Sequence, residues 1–223
     1  MLKDAIIYII MKYPIFLNLK SKRAVVIGGG AVAARKVLGL LQAQARVVII
    51  AESIDDVLET RCKSANTEFV EAPYSKDYLV GATIVFATTN SRKLNEQIYK
   101  DCQQLEIFCN VADDPDLCDF FVPAVVRRDD LQIAICTEGH FPAYAGHIRK
   151  KLENIFTEKH GQFLSELETI RKHIIESVPD LADRKTILGE LAGDTSFELF
   201  IEKGSQEWQK HAKEKIKSHI IKS

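Results

Sequence analysis

The chain has 223 residues, of which 46% are hydrophobic and 27% charged, with 30 Lys and Arg against 31 Asp and Glu. This length suits one ordinary domain or two small ones with a substantial core, and the apolar fraction excludes intrinsic disorder. A formal net charge of −1 argues against a general nucleic-acid-binding protein, because such proteins usually carry a strong basic excess.

The N-terminus and the cysteines indicate a cytoplasmic protein. Residues 5–11 are apolar, but a membrane span takes roughly 18 or more residues, and Lys12-Tyr13-Pro14 is a poor signal-peptide cleavage site. We therefore interpret residues 1–12 as an N-terminal extension and expect no membrane partner. Five cysteines without a CxxC pair favour reduced thiols. The six histidines form no HxH or HExxH pair, so no metal site is predicted.

Short β-branched runs alternate with helical stretches through the first half of the chain. The predicted strands cover 23–27, 46–51, 68–71, 84–87 and 107–111, and the predicted helices cover 31–43, 55–65 and 92–104. Uninterrupted apolar strands are typical of a parallel sheet buried on both faces, and their alternation with helices indicates βαβ units. The sequence therefore predicts an α/β fold with a Rossmann-like parallel sheet.

The pattern changes after residue 113. Two further strands are predicted over 120–126 and 131–136, joined by a charged turn over 127–130, and the chain is helical from Pro142 onward. We expect a first domain over 13–113, a small mixed region over 114–150 and a helical C-terminal domain over 151–223.

A glycine-rich turn, Gly28-x-Gly30-x-x-Ala33, joins the first strand to the first helix. Gly28 permits a tight turn, Gly30 permits close approach of a pyrophosphate to the helix N-terminus, and the small Ala33 lets the helix pack on the strand. Glu52 follows the second strand, about 20 residues on, where an acidic partner for the ribose hydroxyls is expected. This order predicts a dinucleotide site, with NAD favoured over NADP by the acidic residue. The alternative is a purely structural turn.

Thr88, Thr89 and Asn90 follow a later strand. Because ligands of open α/β sheets bind at the carboxyl ends of the strands, we expect these residues to border the same crevice. The alternative is that they cap the next helix, since Thr and Asn are common N-cap residues.

Four segments carry a more specific pattern, and in this order they strongly resemble the precorrin-2 dehydrogenases, a module that also forms the N-terminal part of siroheme synthases. These segments are Pro14–Leu17, Val26–Lys36, Asn110–Pro115 and Phe121–Ala124. The resemblance covers roughly residues 13–175. It implies NAD-dependent oxidation of precorrin-2 to sirohydrochlorin by a homodimer whose dimerisation region is 114–150. Some members also insert ferrous iron to give siroheme, and that activity stays open here.

The resemblance also implies site residues. It places cofactor contacts at Ala31 and Val32 in the glycine turn and at Glu52 and Ser53 after the second strand, and a key carboxylate at Asp113. A carboxylate at a strand end could accept a proton, or stabilise positive charge, while a hydride leaves the substrate. The alternative is that Asp113 merely belongs to an Asp-Pro turn.

The substrate implied by the resemblance carries many carboxylates, so its site needs cations and hydrogen-bond donors. We single out Thr137, His140 and Arg149 as substrate-binding candidates, although charged runs are usually solvated faces. One short segment and one single residue depart from the family pattern. Cys136-Thr137-Glu138-Gly139 stands where relatives usually have Ser-Ser-Gly-Gly, and Gly146 stands where relatives often carry Arg.

Two other functions stay open at this point. One is another NAD-linked oxidoreductase with a different small substrate. The other is a non-catalytic module that senses NAD(H), which would need neither the Asn110–Pro115 motif nor a helical C-terminal domain.

Overall fold

The computed structural model describes residues 12–63 and 66–220, so most of the predicted N-terminal extension lies outside the described residues. The chain divides into two compact units, with the boundary between Val122 and Pro123. Residues 114–122 therefore belong with the first unit, whereas the sequence placed a boundary at 113. The further division of the second unit into a dimerisation region and a helical domain stays a prediction.

The first unit is a parallel five-stranded sheet with helices on its faces. Its strands are β1 (Arg23–Ile27), β2 (Arg46–Ala51), β3 (Thr67–Glu71), β4 (Ile84–Ala87) and β5 (Phe108–Val111), in the order β3-β2-β1-β4-β5. Its helices are α1 (Ala31–Gln42), α2 (Asp56–Cys62) and α3 (Arg92–Gln104), and short 3-10 helices cover Lys76–Leu79 and Pro115–Leu117. The predicted Rossmann-like fold class is confirmed.

The central strands are apolar on both faces because both faces are covered. Val26 and Phe86 lie in one core cluster together with residues of α1. Val25 and Val85 lie in the opposite cluster together with Ile98 of α3. Full burial of each such side chain contributes about 1.5–3 kcal/mol relative to exposure. The β-branched runs in the sequence therefore form strands that are buried on both sides.

The second unit comprises a hairpin and four helices. It contains β6 (Ala124–Arg128), β7 (Leu131–Ile135), α4 (Pro142–Ile155), α5 (Glu158–Ser177), α6 (Leu181–Leu191) and α7 (Asp194–Ile220). Gly204, with φ of 81°, interrupts the helical backbone within α7. The fully buried Trp208 anchors the core of this unit and donates from Nε1 to Ser196 Oγ at 2.8 Å.

The predicted strand over 120–126 is wrong at its start. The strand begins only at Ala124 and continues through Arg127 and Arg128, which were predicted to form part of the turn. Pro123 has no backbone N–H for a ladder, and Phe120 packs edge-on against Phe86 of the first unit, with ring centroids 5.3 Å apart. The actual turn is the two residues 129–130, and Asp129 adopts a φ of 50°. Positive φ is what tight hairpins of this length require.

Gly161 of α5 packs directly beneath this hairpin, and we expect Gly161→Ala to destabilise the second unit by about 1–2 kcal/mol. A Cβ at this position would lie 2.6 Å from the Arg128 carbonyl oxygen, and such overpacking costs typically 1–3 kcal/mol. The gain in helix propensity, at most about 1 kcal/mol, offsets only part of that cost. Urea unfolding followed by fluorescence of the single tryptophan, Trp208, measures the effect in the same unit.

The matched control is Gly189→Ala in α6, where a Cβ would meet no described atom within 4 Å. This change should be neutral, or stabilising by up to about 1 kcal/mol. Equal stability of the two variants would contradict the packing argument.

Candidate active site

The glycine turn after β1 needs glycine at its first two positions. Gly28 has a φ of 119°, and a Cβ there would lie 2.7 Å from the Thr88 carbonyl oxygen. A Cβ on Gly29 would lie 1.8 Å from the Ser53 carbonyl oxygen. The Gly29 carbonyl in turn accepts from the Asp55 amide at 2.9 Å. The turn is thus in direct backbone contact with the segments that follow β2 and β4.

Gly30 differs from Gly28 and Gly29 because it faces open space. It is the N-cap residue of α1, and a Cβ built on it meets no atom of the described residues within 4 Å. Ala31 is exposed and Val32 is half-buried at the start of the helix. The first backbone N–H groups of a helix lack intrahelical acceptors and lie at the positive end of its dipole. This cradle fits a dinucleotide pyrophosphate, because a side chain would fill it and glycine leaves it clear.

Glu52 and Ser53 lie in the loop between β2 and α2, and both are exposed. The contact of the Ser53 carbonyl with Gly29 brings this loop against the glycine turn. The structure thus places residue 52 at the same edge of the sheet as the cradle, as the motif spacing predicts. A ribose role for Glu52 and Ser53 stays a prediction.

The three residues after β4 have different environments. Thr88 is buried, and its amide and hydroxyl both donate to the Ile27 carbonyl at 2.8 Å, so its side chain joins β4 to β1. Thr89 is half-buried and Asn90 is exposed. The cap of α3 is Ser91, whose side chain accepts from the Leu94 amide. The alternative that Thr88 to Asn90 cap this helix is therefore wrong.

Asn95, a residue that the sequence reasoning missed, fixes Thr89. It is 6% exposed, and its Oδ1 accepts from the Thr89 hydroxyl at 2.7 Å and from the Thr89 amide at 3.2 Å. Its Nδ2 donates back to the Thr89 carbonyl at 3.1 Å. The available signal was an Asn between Leu94 and Ile98 on the apolar face of the predicted helix.

We expect Asn95→Ala to weaken NAD binding about three- to tenfold and to destabilise the first unit by about 1–3 kcal/mol. The change leaves the partly buried Thr89 amide without its acceptor, and the Thr89 hydroxyl keeps only the Ser91 carbonyl at 3.2 Å. An unsatisfied buried donor costs about 1–3 kcal/mol in general. Titration with NAD and thermal unfolding measure the two effects. Lys100→Ala on the exposed side of α3 is the control and should change neither. Unaltered NAD affinity in Asn95→Ala would show that Thr89 does not shape the site.

A cavity of about 490 Å³ opens beside these residues, between the segments that follow β4 and β5. Its lining residues are Thr89, Asn90, Arg92, Asn95, Val111, Ala112, Asp113, Asp114 and Leu117. Two of the three predicted cofactor residues after β4, Thr89 and Asn90, therefore share one cavity with the predicted catalytic Asp113, whereas Thr88 does not line it.

Asp113 and Asp114 have different roles in the turn after β5. Asp114 is the residue that starts the 3-10 helix, and its Oδ2 lies 3.6 Å from Arg92 Nη2. Asp113 precedes it with a φ of 65°, and its side chain is exposed on the cavity wall. Non-glycine residues rarely adopt positive φ, although Asp tolerates it better than most. The Asp-Pro turn thus accounts for Asp114 and leaves the Asp113 carboxylate available to a ligand.

The segment after this turn is held along the outer edge of β5. Asn110 is buried and donates from Nδ2 to the Phe120 carbonyl at 2.9 Å. Asp119 accepts from the Cys109 amide at 2.8 Å and from Gln103. Asp119 is an exposed residue, and its carboxylate satisfies a strand amide. These bonds fix the cavity wall on which Asp113 lies.

The predicted substrate-binding residues belong to the second unit. Thr137 and His140 lie in one turn before α4, with the His140 amide donating to the Thr137 carbonyl at 2.9 Å. Glu138, between them, has a φ of 53°. Arg149 lies within α4 and forms an ion pair with Glu153 of the same helix. The structure thus brings Thr137 and His140 together, while a carboxylate of the protein already holds Arg149.

Among residues 12–63 and 66–220, no group of three or more His, Cys, Asp or Glu side chains is arranged to hold a metal ion. No helix of the same residues combines the length and the apolar character needed to cross a bilayer.

Comparison with known proteins identifies relatives of this chain in sequence and in fold. Residues 15–124 match a family model described as "Putative NAD(P)-binding". A siroheme synthase of Psychrobacter arcticus is 32% identical over 173 residues, which are 78% of this chain and 32% of that protein. Siroheme synthase 1 of Aeromonas hydrophila is 29% identical over 194 residues, which are 87% of this chain and 42% of that protein. Over most of its length, the chain is thus similar to siroheme synthases.

A solved structure confirms the fold. "SirC, precorrin-2 dehydrogenase" superposes with a TM-score of 0.75 over 91% of this chain and 100% of that one, at 20% identity. The chain spans about a third of the length of the Psychrobacter siroheme synthase that it matches. The match to the NAD(P)-binding model indicates a nicotinamide dinucleotide as the cofactor class, and the open cradle at Gly30 is consistent with it.

Proposed function

We propose that this chain is an NAD-dependent dehydrogenase that oxidises precorrin-2 to sirohydrochlorin. The observation that carries the proposal is a continuous set of contacts along one edge of the sheet. Gly28 packs on Thr88, the next residue Thr89 lines the cavity, and Asp113 lies on the wall of that cavity. A dinucleotide cradle and an available carboxylate at the same sheet edge are what a hydride-transfer site requires.

Different residues of the chain bind the cofactor and accept the proton. The backbone N–H groups at the start of α1 bind the pyrophosphate, and Glu52 accepts hydrogen bonds from the ribose hydroxyls. Bound NAD supplies the acceptor for the hydride that leaves the macrocycle. Forming the new double bond also releases one proton, which Asp113 accepts. The substrate thus loses two electrons and two hydrogens, as the oxidation demands.

Glu52 carries the preference for NAD over NADP. Its carboxylate is exposed beside the glycine turn, where it repels the additional phosphate of NADP as a like charge. We therefore propose that turnover is faster with NAD.

The proposal includes a cytoplasmic homodimer without nucleic-acid or membrane partners. All five cysteines are free thiols, as is typical of a reducing compartment. In and beside the predicted dimerisation region, Phe141, Tyr144 and Ile155 are 64%, 55% and 60% exposed. Exposed large apolar side chains that lie close together in the chain favour an interface with a second copy. Precorrin-2 and sirohydrochlorin are the proposed small-molecule ligands.

The test uses the purified full chain with precorrin-2 and either NAD or NADP. We expect sirohydrochlorin absorbance to rise together with one equivalent of NADH, and more slowly with NADP. Tight NAD binding without turnover would favour the sensing module, and oxidation of a different hydroxy or amino substrate would favour another NAD-linked oxidoreductase. Sirohydrochlorin mixed with ferrous iron as the second substrate measures iron insertion. Acceleration over the spontaneous rate would add chelatase activity to the function.

A further inference from the structure

A lysine of α1 lies over the ring of Phe86 in β4, the strand that is followed by the cavity-lining residues Thr89 and Asn90. Lys36 is half-buried, and its Nζ lies 5.2 Å from the centroid of the Phe86 ring, a distance typical of a cation–π contact. Within the part of the chain that the structure describes, no hydrogen bond or ion pair reaches this ammonium group. An ammonium has three donors, and leaving them without an acceptor in a half-buried place is unfavourable.

The surface beneath Lys36 is apolar. Phe86 is 3% exposed and makes an edge-to-face contact with Phe120. Burial lowers the pKa of Lys36, and the charge of Arg35 on the same helix lowers it further, whereas Cys118 and Asp113 raise it. Asp113 is therefore close enough to act on the charge of Lys36, although the two side chains form no ion pair. This leaves the ammonium group available for an anion that arrives beside Asp113.

We propose that Lys36 binds a carboxylate of the tetrapyrrole substrate next to Asp113, an inference that rests on the proposed function. The acetate and propionate groups of such a macrocycle supply the acceptor that the protein lacks, in a charge-assisted hydrogen bond. The dinucleotide phosphates are a poorer match, because Lys36 lies more than one helical turn beyond Ala31. Lys36 is thus a binding residue on the substrate side of the cleft.

The test measures sirohydrochlorin binding by fluorescence quenching, which needs no turnover. Lys36→Met should weaken sirohydrochlorin binding roughly ten- to a hundredfold, as expected for one hydrogen bond to a charged group. Lys36→Arg keeps the charge and should retain most of the affinity. Lys93→Met removes the same charge from an exposed position of α3 and is the matched control, with unchanged affinity expected.

A pH series distinguishes binding from a merely structural role. In the wild type, sirohydrochlorin affinity should fall as the pH rises through the lowered pKa of Lys36, because the ammonium form is lost. In Lys36→Arg this alkaline loss should disappear, since a guanidinium stays charged throughout that range. The titratable groups around Lys36, namely Arg35, Asp113 and Cys118, are the same in both proteins.

Several results would overturn the inference. One is unchanged sirohydrochlorin affinity in Lys36→Met, and another is weaker NAD binding in that variant with unaltered tetrapyrrole binding. A third is an alkaline loss that persists in Lys36→Arg. The proposed function can fail separately. If precorrin-2 is not oxidised but sirohydrochlorin binding still depends on Lys36, the dehydrogenase proposal is wrong and the binding role of Lys36 stands.

Discussion

Asp113→Asn should lower kcat for NAD-dependent oxidation of precorrin-2 at least a hundredfold, with NAD affinity changed less than about twofold. A positioned acid or base contributes typically 10²–10⁴-fold, and an amide can neither accept the proton nor stabilise positive charge as a carboxylate does. Asn removes the charge without straining the backbone, because residue 113 has a φ of 65° and Asn tolerates this left-handed conformation. Stopped-flow absorbance gives kcat, and NAD titration gives the affinity.

Asp116→Asn is the control for this experiment. Asp116 is exposed in the neighbouring 3-10 helix and does not line the cavity, so the same change of charge there should leave kcat within about twofold. A kcat near the wild-type value in Asp113→Asn would remove Asp113 from the reaction. The cofactor site would be unaffected by that result.

We expect Gly30→Val to weaken NAD binding about a hundredfold or more while the protein remains folded. The side chain would occupy the open space at the start of α1, in which no described atom lies within 4 Å of a Cβ. The displaced pyrophosphate would lose at least two hydrogen bonds that involve its charge, which corresponds to a loss of affinity of about a hundredfold or more. Isothermal titration with NAD measures the affinity, and the thermal midpoint reports the fold.

Two other glycines make this prediction specific. Gly39→Val, on the exposed side of the same helix, introduces the same side chain away from the cradle and should leave NAD binding unchanged. Gly29→Ala should instead lower stability, because its Cβ would lie 1.8 Å from a backbone oxygen. Full NAD affinity in Gly30→Val would show that the dinucleotide phosphates lie elsewhere.

The sequence predicted the sheet well because its signals are local. Strands β1, β2 and β4 are continuous apolar runs, and the crossovers between parallel strands admit few arrangements. Their observed bounds differ from the predicted ones by at most a residue. The start of the hairpin in the second unit was harder to predict. Phe120 precedes the strand, and its apolar side chain packs against Phe86 instead. Periodicity cannot separate these two reasons for an apolar residue.

In the candidate site too, the sequence predicted the features that have local signals and missed those that depend on contacts between segments. The glycine turn and Glu52 follow from short-range spacing, and the resemblance placed Asp113 on what proved to be a cavity wall. Asn95 and Lys36 were not predicted as site residues, because their importance comes from contacts with Thr89 and Phe86 on other segments. Such contacts depend on how the crossovers stack, which spacing along the chain does not encode.

The backbone contact between Ser53 and Gly29 has a consequence for redesigning the nucleotide preference of this protein. A longer or reshaped loop after β2 would press on the phosphate cradle, since the Ser53 carbonyl already leaves no room at Gly29. Conversion toward NADP therefore has to come from exchanging side chains on an unaltered main chain, beginning with an uncharged or basic group at residue 52. Loop grafts from other dinucleotide enzymes should lose both nucleotides together.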